Sequence, residues 1–292
     1  MRQKSKRALR TRYITLALFV LAGLLLIGGL AALVLHLLHY SANTTVSATD
    51  APQQSQIQPT PADEADSLPI NTLTADGFTR SGDFLHYESD TLTSQLGIDV
   101  SAHQQDIDWQ AVAQSGVEFA ILRVGYRGYT EGLVQEDTYF EQNLAGAIDA
   151  GLEVGVYFFS QAMDEREARE EARFVLDRIQ GYQLAFPVFF DWEKIVEDAR
   201  SDAMDLTSLT TVTDTFCTEI ENAGYQAGLY FNQQLGYEEL HLPSLRQYCF
   251  WLAEYNEVPT FPYAFELWQY SCEGSVDGIE GAVDLNLAFF PR

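Results

Sequence analysis

From about residue 94 onward the sequence alternates short apolar runs with longer amphipathic ones, and this alternation limits the possible folds more than any other feature. Strand-like runs fall at 96–100, 119–126, 154–160, 185–192 and 227–232, and helix-like segments between them include 139–150, 165–179 and 209–223. Gly151, Gly181 and Gly224 stand just past the helical stretches, where a C-terminal cap is expected. Five strand–helix units in succession predict a parallel sheet closed into a barrel. The end of the chain departs from the pattern: 250–255, 265–271 and 283–290 read as strands with little helix between them. The expected fold is therefore α/β, an irregular TIM-like barrel of about five βα units followed by three strands, over residues 94–292. In such barrels the carboxyl ends of the strands form the working face. Polar residues at those ends become the candidates.

The N-terminal third reads differently. Residues 1–12 carry six of the 17 Lys and Arg residues of the chain. Ile14 to Leu38 is uncharged and apolar, long enough as a helix to cross a hydrocarbon core of ~30 Å. The expected arrangement is a basic cytoplasmic tail (1–12) and a single transmembrane helix (13–40) that anchors an extracellular domain at the cell membrane. The alternative is a signal peptide, cleaved to leave a secreted protein, although the apolar run is longer than such peptides use. Residues 41–76 are read as a flexible stalk, since 41–69 hold almost no large apolar residue to offset ordering entropy. Residues 77–93 are read as a short hairpin lead-in turning at Ser81-Gly82-Asp83.

Charge narrows the partners. The net charge is -25, and beyond residue 12 only 11 bases face 42 acids. Phosphate backbones repel such a surface, so nucleic acid is not an expected partner. Three cysteines are too few for a disulfide scaffold and show no zinc spacing. One pairing is possible: Cys249 would fall opposite Cys272 if the strands near 250 and 270 ran antiparallel.

Asp191 and Glu193 are the strongest chemical signal. They stand two apart at the end of an otherwise apolar strand, Phe189-Phe190-Asp191-Trp192-Glu193, so both face one side while Trp192 faces the other. Two acids held close in a buried place do not both ionise cheaply, and one pKa should rise. Glycoside hydrolysis uses such a pair, one carboxyl protonating the leaving oxygen and one supporting positive charge at the sugar carbon. Asp99 ends the first strand and Asp284 lies on the last, its neighbour once the barrel closes. A metal site would want histidines, and no His-x-x-x-His occurs in the domain; no metal and no cofactor are expected.

These residues resemble the family 25 glycoside hydrolases, lysozymes that cut between N-acetylmuramic acid and N-acetylglucosamine in peptidoglycan. The resemblance covers roughly 94–292. It rests on Gly97-Ile98-Asp99-Val100-Ser101 with His103-Gln104, Phe119 to Gly125, Gly155-Val156-Tyr157-Phe158-Phe159, Phe190-Asp191-Trp192-Glu193, Trp251-Leu252-Ala253-Glu254-Tyr255, Trp268-Gln269-Tyr270 and Val283-Asp284-Leu285-Asn286. It implies that Glu193 is the general acid, that Asp191 stabilises charge or orients the substrate, and that Asp99 and Asp284 complete an anionic cup. It further implies substrate contacts from Tyr157, Tyr230, Trp251, Tyr255, Trp268, Gln269 and Tyr270, with Arg123 holding carboxylates in place. Peptidoglycan glycan strands are the implied partner. The alternatives are a non-catalytic peptidoglycan-binding protein on this fold and a glycosidase for another N-acetylated glycan; the longer DxxDxDxE run of chitinases is missing.

Overall fold

The computed structural model describes residues 67–195 and 198–292. The basic tail, the apolar run and the stalk up to residue 66 lie outside the described residues. No helix among those described is long and apolar enough to cross a membrane.

Eight strands close a mixed barrel: β3 (Leu92–Val100), β4 (Phe119–Arg127), β6 (Glu153–Ser160), β7 (Val188–Trp192), β8 (Ala227–Asn232), β9 (Cys249–Ala253), β10 (Leu267–Gly274) and β11 (Val283–Pro291). Outside it lie the hairpin of β1 (Phe78–Ser81) with β2 (Phe84–Tyr87) and the short β5 (Val134–Glu136), antiparallel to β4. From β3 through β10 neighbours in the barrel run parallel. Only β11 is antiparallel, to both β10 and β3. A short 275–282 connection explains this, because it turns the chain straight back at the rim. The first residues of β11 therefore lie at the carboxyl ends of the parallel strands.

Four helices cover the first part of the barrel: α1 (Trp109–Gln114), α2 (Phe140–Asp149), α3 (Glu165–Ile179) and α4 (Leu206–Asn222). Asp108, Asp164 and Asp205 cap the first, third and fourth by accepting from backbone N–H groups inside the first turn. At the other ends Gly151, Gly181 and Gly224 adopt φ of 84°, 88° and 91°, the left-handed cap conformation the sequence predicted. The α4 stripe of Leu209, Val212, Phe216, Cys217 and Ile220 faces inward at helical spacing.

Strand alternation sorts side chains between two cores. In β7, Phe189 belongs to the cluster filling the barrel, while Val188, Phe190 and Trp192 pack outward under the helices. The inner cluster is aromatic (Phe119, Phe186, Phe189, Trp251), and such rings need room across the barrel. A Cβ on Gly97 would meet Phe119 at 2.2 Å, and one on Gly228 would meet Phe189 at 2.5 Å.

Two expectations are corrected. β9 and β10 run parallel, with Trp251 beside Leu267. Segment 254–266 carries the chain back along the barrel rather than making a hairpin, so Cys249 does not face Cys272, and all three cysteines are free. The stalk reading also ran too far. Within 67–76, Leu68 is buried, Asn71 bonds the backbone of Phe261 and Pro262, and Ala264 donates to Pro69. This segment and the hairpin cover strands that lack helices of their own: Phe78 packs on Trp268 and Tyr87 on Phe289.

Candidate active site

Asp99, Asp191, Glu193 and Asp284 all line one cleft of about 870 Å³ at the carboxyl ends of the parallel strands. Asp191 shares its face of β7 with Phe189 and is buried, and Glu193 follows one residue past the strand, half-buried. Asp284 stands beside Asp99 in the β11–β3 register. The reversed strand thus delivers its first acid to the same rim as the last acids of β3 and β7.

Asp99 is held by amides whose orientation can be argued from chemistry. The indole Nε1 of Trp251 can only donate, and it donates to Asn286 Oδ1 at 2.8 Å. Asn286 must then turn its Nδ2 toward Asp99 Oδ2, also at 2.8 Å. Gln269 donates to the same oxygen at 2.8 Å, while its own Oε1 accepts from Tyr230 and Tyr255 hydroxyls. Donors alone surround this oxygen, an arrangement that favours the ionised form.

Burial and mutual repulsion act the other way. Burial raises Asp99 well above the usual carboxylate range, with the Asp284 charge adding to it and the two amide donors opposing it. Asp191 is raised well above that range by burial, then by Glu193 and Asp99, with Arg123 opposing. Its Oδ1 is buried without a hydrogen-bond partner. Burial and then Asp284 raise Glu193, and burial moves Asp284 up to about 6. Four acids in one cleft titrate as a set, and each is moved toward its protonated form. Such a site can both donate a proton and stabilise a cation.

The other predicted residues divide. Tyr157, Tyr230, Arg123, Trp251, Tyr255 and Gln269 line the cleft. Trp251 forms its floor, in edge contact with Tyr157, Phe189 and Tyr230, whereas Tyr255 stands 53% exposed at the mouth. Trp268 and Tyr270 do not reach it. Gln269 faces inward, so period two sends both neighbours outward. Trp268 donates to the Glu254 carbonyl, and the Tyr270 hydroxyl bonds the hairpin at Leu85 N and Asp83 O. Arg123 does not clamp the four acids directly. Its partner is Asp137, at 2.7 Å, although its charge reaches Asp191.

Sequence reasoning missed Asp137 and Asn286 as site residues. Asp137 is buried and also accepts from the backbone of Ala102 and Tyr139, tying β3 and α2 to Arg123. Its signal was faint, an acid at the end of a polar stretch. The β4–β5 turn was missed too; it lines the cleft with Tyr129, Glu131 and Leu133. Among the described residues no group of three or more His, Cys, Asp or Glu is arranged to hold a metal ion.

Comparison with known proteins agrees with this geometry. An autolytic lysozyme of Clostridium acetobutylicum is 29% identical over 191 residues, covering 65% of this chain and 54% of that protein. The chain thus spans about half the length of that relative. Lysozyme M1 of Streptomyces globisporus is 28% identical over 204 residues, 65% of this chain and 66% of its own. Among solved structures, the modular autolysin LytC of Streptococcus pneumoniae superposes with a TM-score of 0.62 at 24% identity, covering 73% of this chain and 52% of that one. A family 25 glycosyl hydrolase from Bacillus anthracis gives 0.58 at 21% identity, covering 72% and 94%. Residues 98–279 match the sequence model described as Glycosyl hydrolases family 25, and with the eight-stranded barrel and its acidic rim they place the chain: it belongs to glycosyl hydrolase family 25.

Proposed function

We propose that this domain hydrolyses the β-1,4 bond between N-acetylmuramic acid and N-acetylglucosamine in peptidoglycan, with Glu193 as the general acid. One observation carries the reading: four carboxylates converge on one cleft, and the least buried pair, Glu193 and Asp284, stands where a glycan can reach it. Glu193 is raised by burial and by Asp284, which favours the protonated form that can give a proton to the leaving oxygen. Asp191 supports positive charge at the sugar carbon, helped toward ionisation by Arg123. Asn286 and Gln269 fix Asp99 in the cup and favour its ionised form against the burial that opposes it. Tyr255 at the mouth offers a ring face to a sugar, and Tyr157 and Tyr230 line the wall.

The names of the relatives support peptidoglycan as substrate, and LytC has been solved with a synthetic peptidoglycan ligand. The test compares new reducing ends released from peptidoglycan and from chitin. N-acetylmuramic acid ends from peptidoglycan are expected. Cleavage of chitin alone would move the assignment to another N-acetylated glycan, and binding without cleavage at any pH would make this a wall-binding protein.

We also propose that residues 13–40 tether the domain to the outer face of the cell membrane, on the strength of the uncharged run and the basic cluster before it. The full chain should stay in the membrane pellet through an alkaline carbonate wash. Release into the supernatant would overturn the tether.

A further inference from the structure

Glu193 lies where the sheet can no longer hold it. The last β6–β7 pair is Ser160 with Trp192, and the last β7–β8 pair is Asp191 with Tyr230. The next rung would join Gln161 to Glu193, but both strands have ended. A side chain spans that step instead. Gln161 is fully buried, and its Nε2 donates to the Glu193 main-chain carbonyl at 3.0 Å. A carbonyl can only accept, so the amide orientation is settled by its partner. The other end, Oε1, accepts from the buried Ser201 hydroxyl.

The surroundings keep Gln161 in place. Arg200 Nη1 donates to the Gln161 main-chain oxygen at 3.1 Å. The same guanidinium forks onto Glu167 at 2.7 and 2.8 Å, and Glu167 also accepts from Met163 N. The Arg200 amide in turn donates to Tyr129 O, on the turn that walls the cleft. Residues 199–202 are thereby joined to α3, to the end of β6 and to the cleft wall by way of buried and partly buried polar groups.

We propose that Gln161 is a positioning residue for Glu193, a side-chain rung that sets where the proton donor sits, with Ser201, Arg200 and Glu167 holding that rung. This rests on the reading of Glu193 as general acid. Proton transfer demands a heavy-atom approach within hydrogen-bond reach, and small displacements of a donor lower turnover steeply. The loss should therefore fall on kcat, and on substrates that need protonation.

The test replaces Gln161 by Met, which keeps length and bulk and removes the donor. The full chain is assayed on peptidoglycan and on an oligosaccharide nitrophenyl glycoside, whose leaving group departs with little help. Gln161→Met should lower kcat on peptidoglycan about 10- to 100-fold with KM changed little, and lower it much less on the nitrophenyl substrate. An unchanged kcat on peptidoglycan overturns the proposal, and so does an equal loss on both substrates, which would indicate a structural role only. Should Gln161→Met fail to fold, Ser201→Ala decides on the same ratio, with a smaller loss and the same bias expected. Wild-type protein that releases no reducing ends would instead refute the general-acid reading itself.

Discussion

Glu193→Gln should abolish most glycan cleavage, lowering kcat by about 10²–10⁴-fold, the usual contribution of a positioned general acid. The substitution keeps the shape of the side chain and removes only the transferable proton. Main-chain contacts stay, because Gln161 bonds the Glu193 carbonyl and not its carboxyl. Folding should survive as well, since the raised pKa of Glu193 means that its ionised form is disfavoured where it sits, and a neutral amide relieves that. Thermal unfolding at or above the wild-type midpoint is the control. A nitrophenyl leaving group should recover much of the lost rate, as it departs without a proton. Asp191→Asn should behave differently: it leaves the proton donor and removes charge next to the reacting carbon, so the nitrophenyl substrate gives no recovery. A Glu193→Gln variant with full activity on peptidoglycan would sink the assignment of the acid.

The barrel was legible because buried parallel strands write themselves as apolar runs, and each of the eight runs that were read became a strand. Asp191 and Glu193 stood out for the converse reason: acids in such a run conflict with burial, and the fold brings both to the cleft. Strand direction was harder to read. The 254–266 connection has no helix, and its course is set by the buried Glu254 carboxylate accepting from Thr260 and Phe261, a contact no periodicity reveals. The phase of β10 was lost for a related reason. A barrel interior near its site is polar, so Gln269 points in and the large aromatics point out, where the β1–β2 hairpin hides them. Hydrophobicity alone assigns those faces backwards. Asp137 was out of reach because its partner Arg123 lies on another element, and only the folded β4–β5 turn brings them together.

Asp284→Asn should make the protein more stable at pH 7 and less able to work at the alkaline side of its range. Asp284 titrates at about 6 in the folded protein against 3.8 ordinarily, because burial penalises its charge. Between those values the folded state binds more protons than the unfolded one, so stability falls as pH rises through that window. Above it the full penalty applies, on the order of 2 kcal/mol after allowing for the partly open position. Asparagine does not ionise and escapes it, which corresponds to a rise in unfolding midpoint of roughly 4–8 °C at pH 7. At pH 3.5, where the acid is mostly protonated in both states, the gain should vanish, and a gain independent of pH would refute burial as the cause. The same charge acts on the kinetics. Asp284 is one of the groups that raise Glu193, so removing it lets Glu193 lose its proton at lower pH, and the alkaline limb of kcat/KM should shift downward. The two effects share one origin in the Asp284 charge held at a partly buried rim: the charge whose burial weakens the fold also raises Glu193, and relieving the first must surrender part of the second.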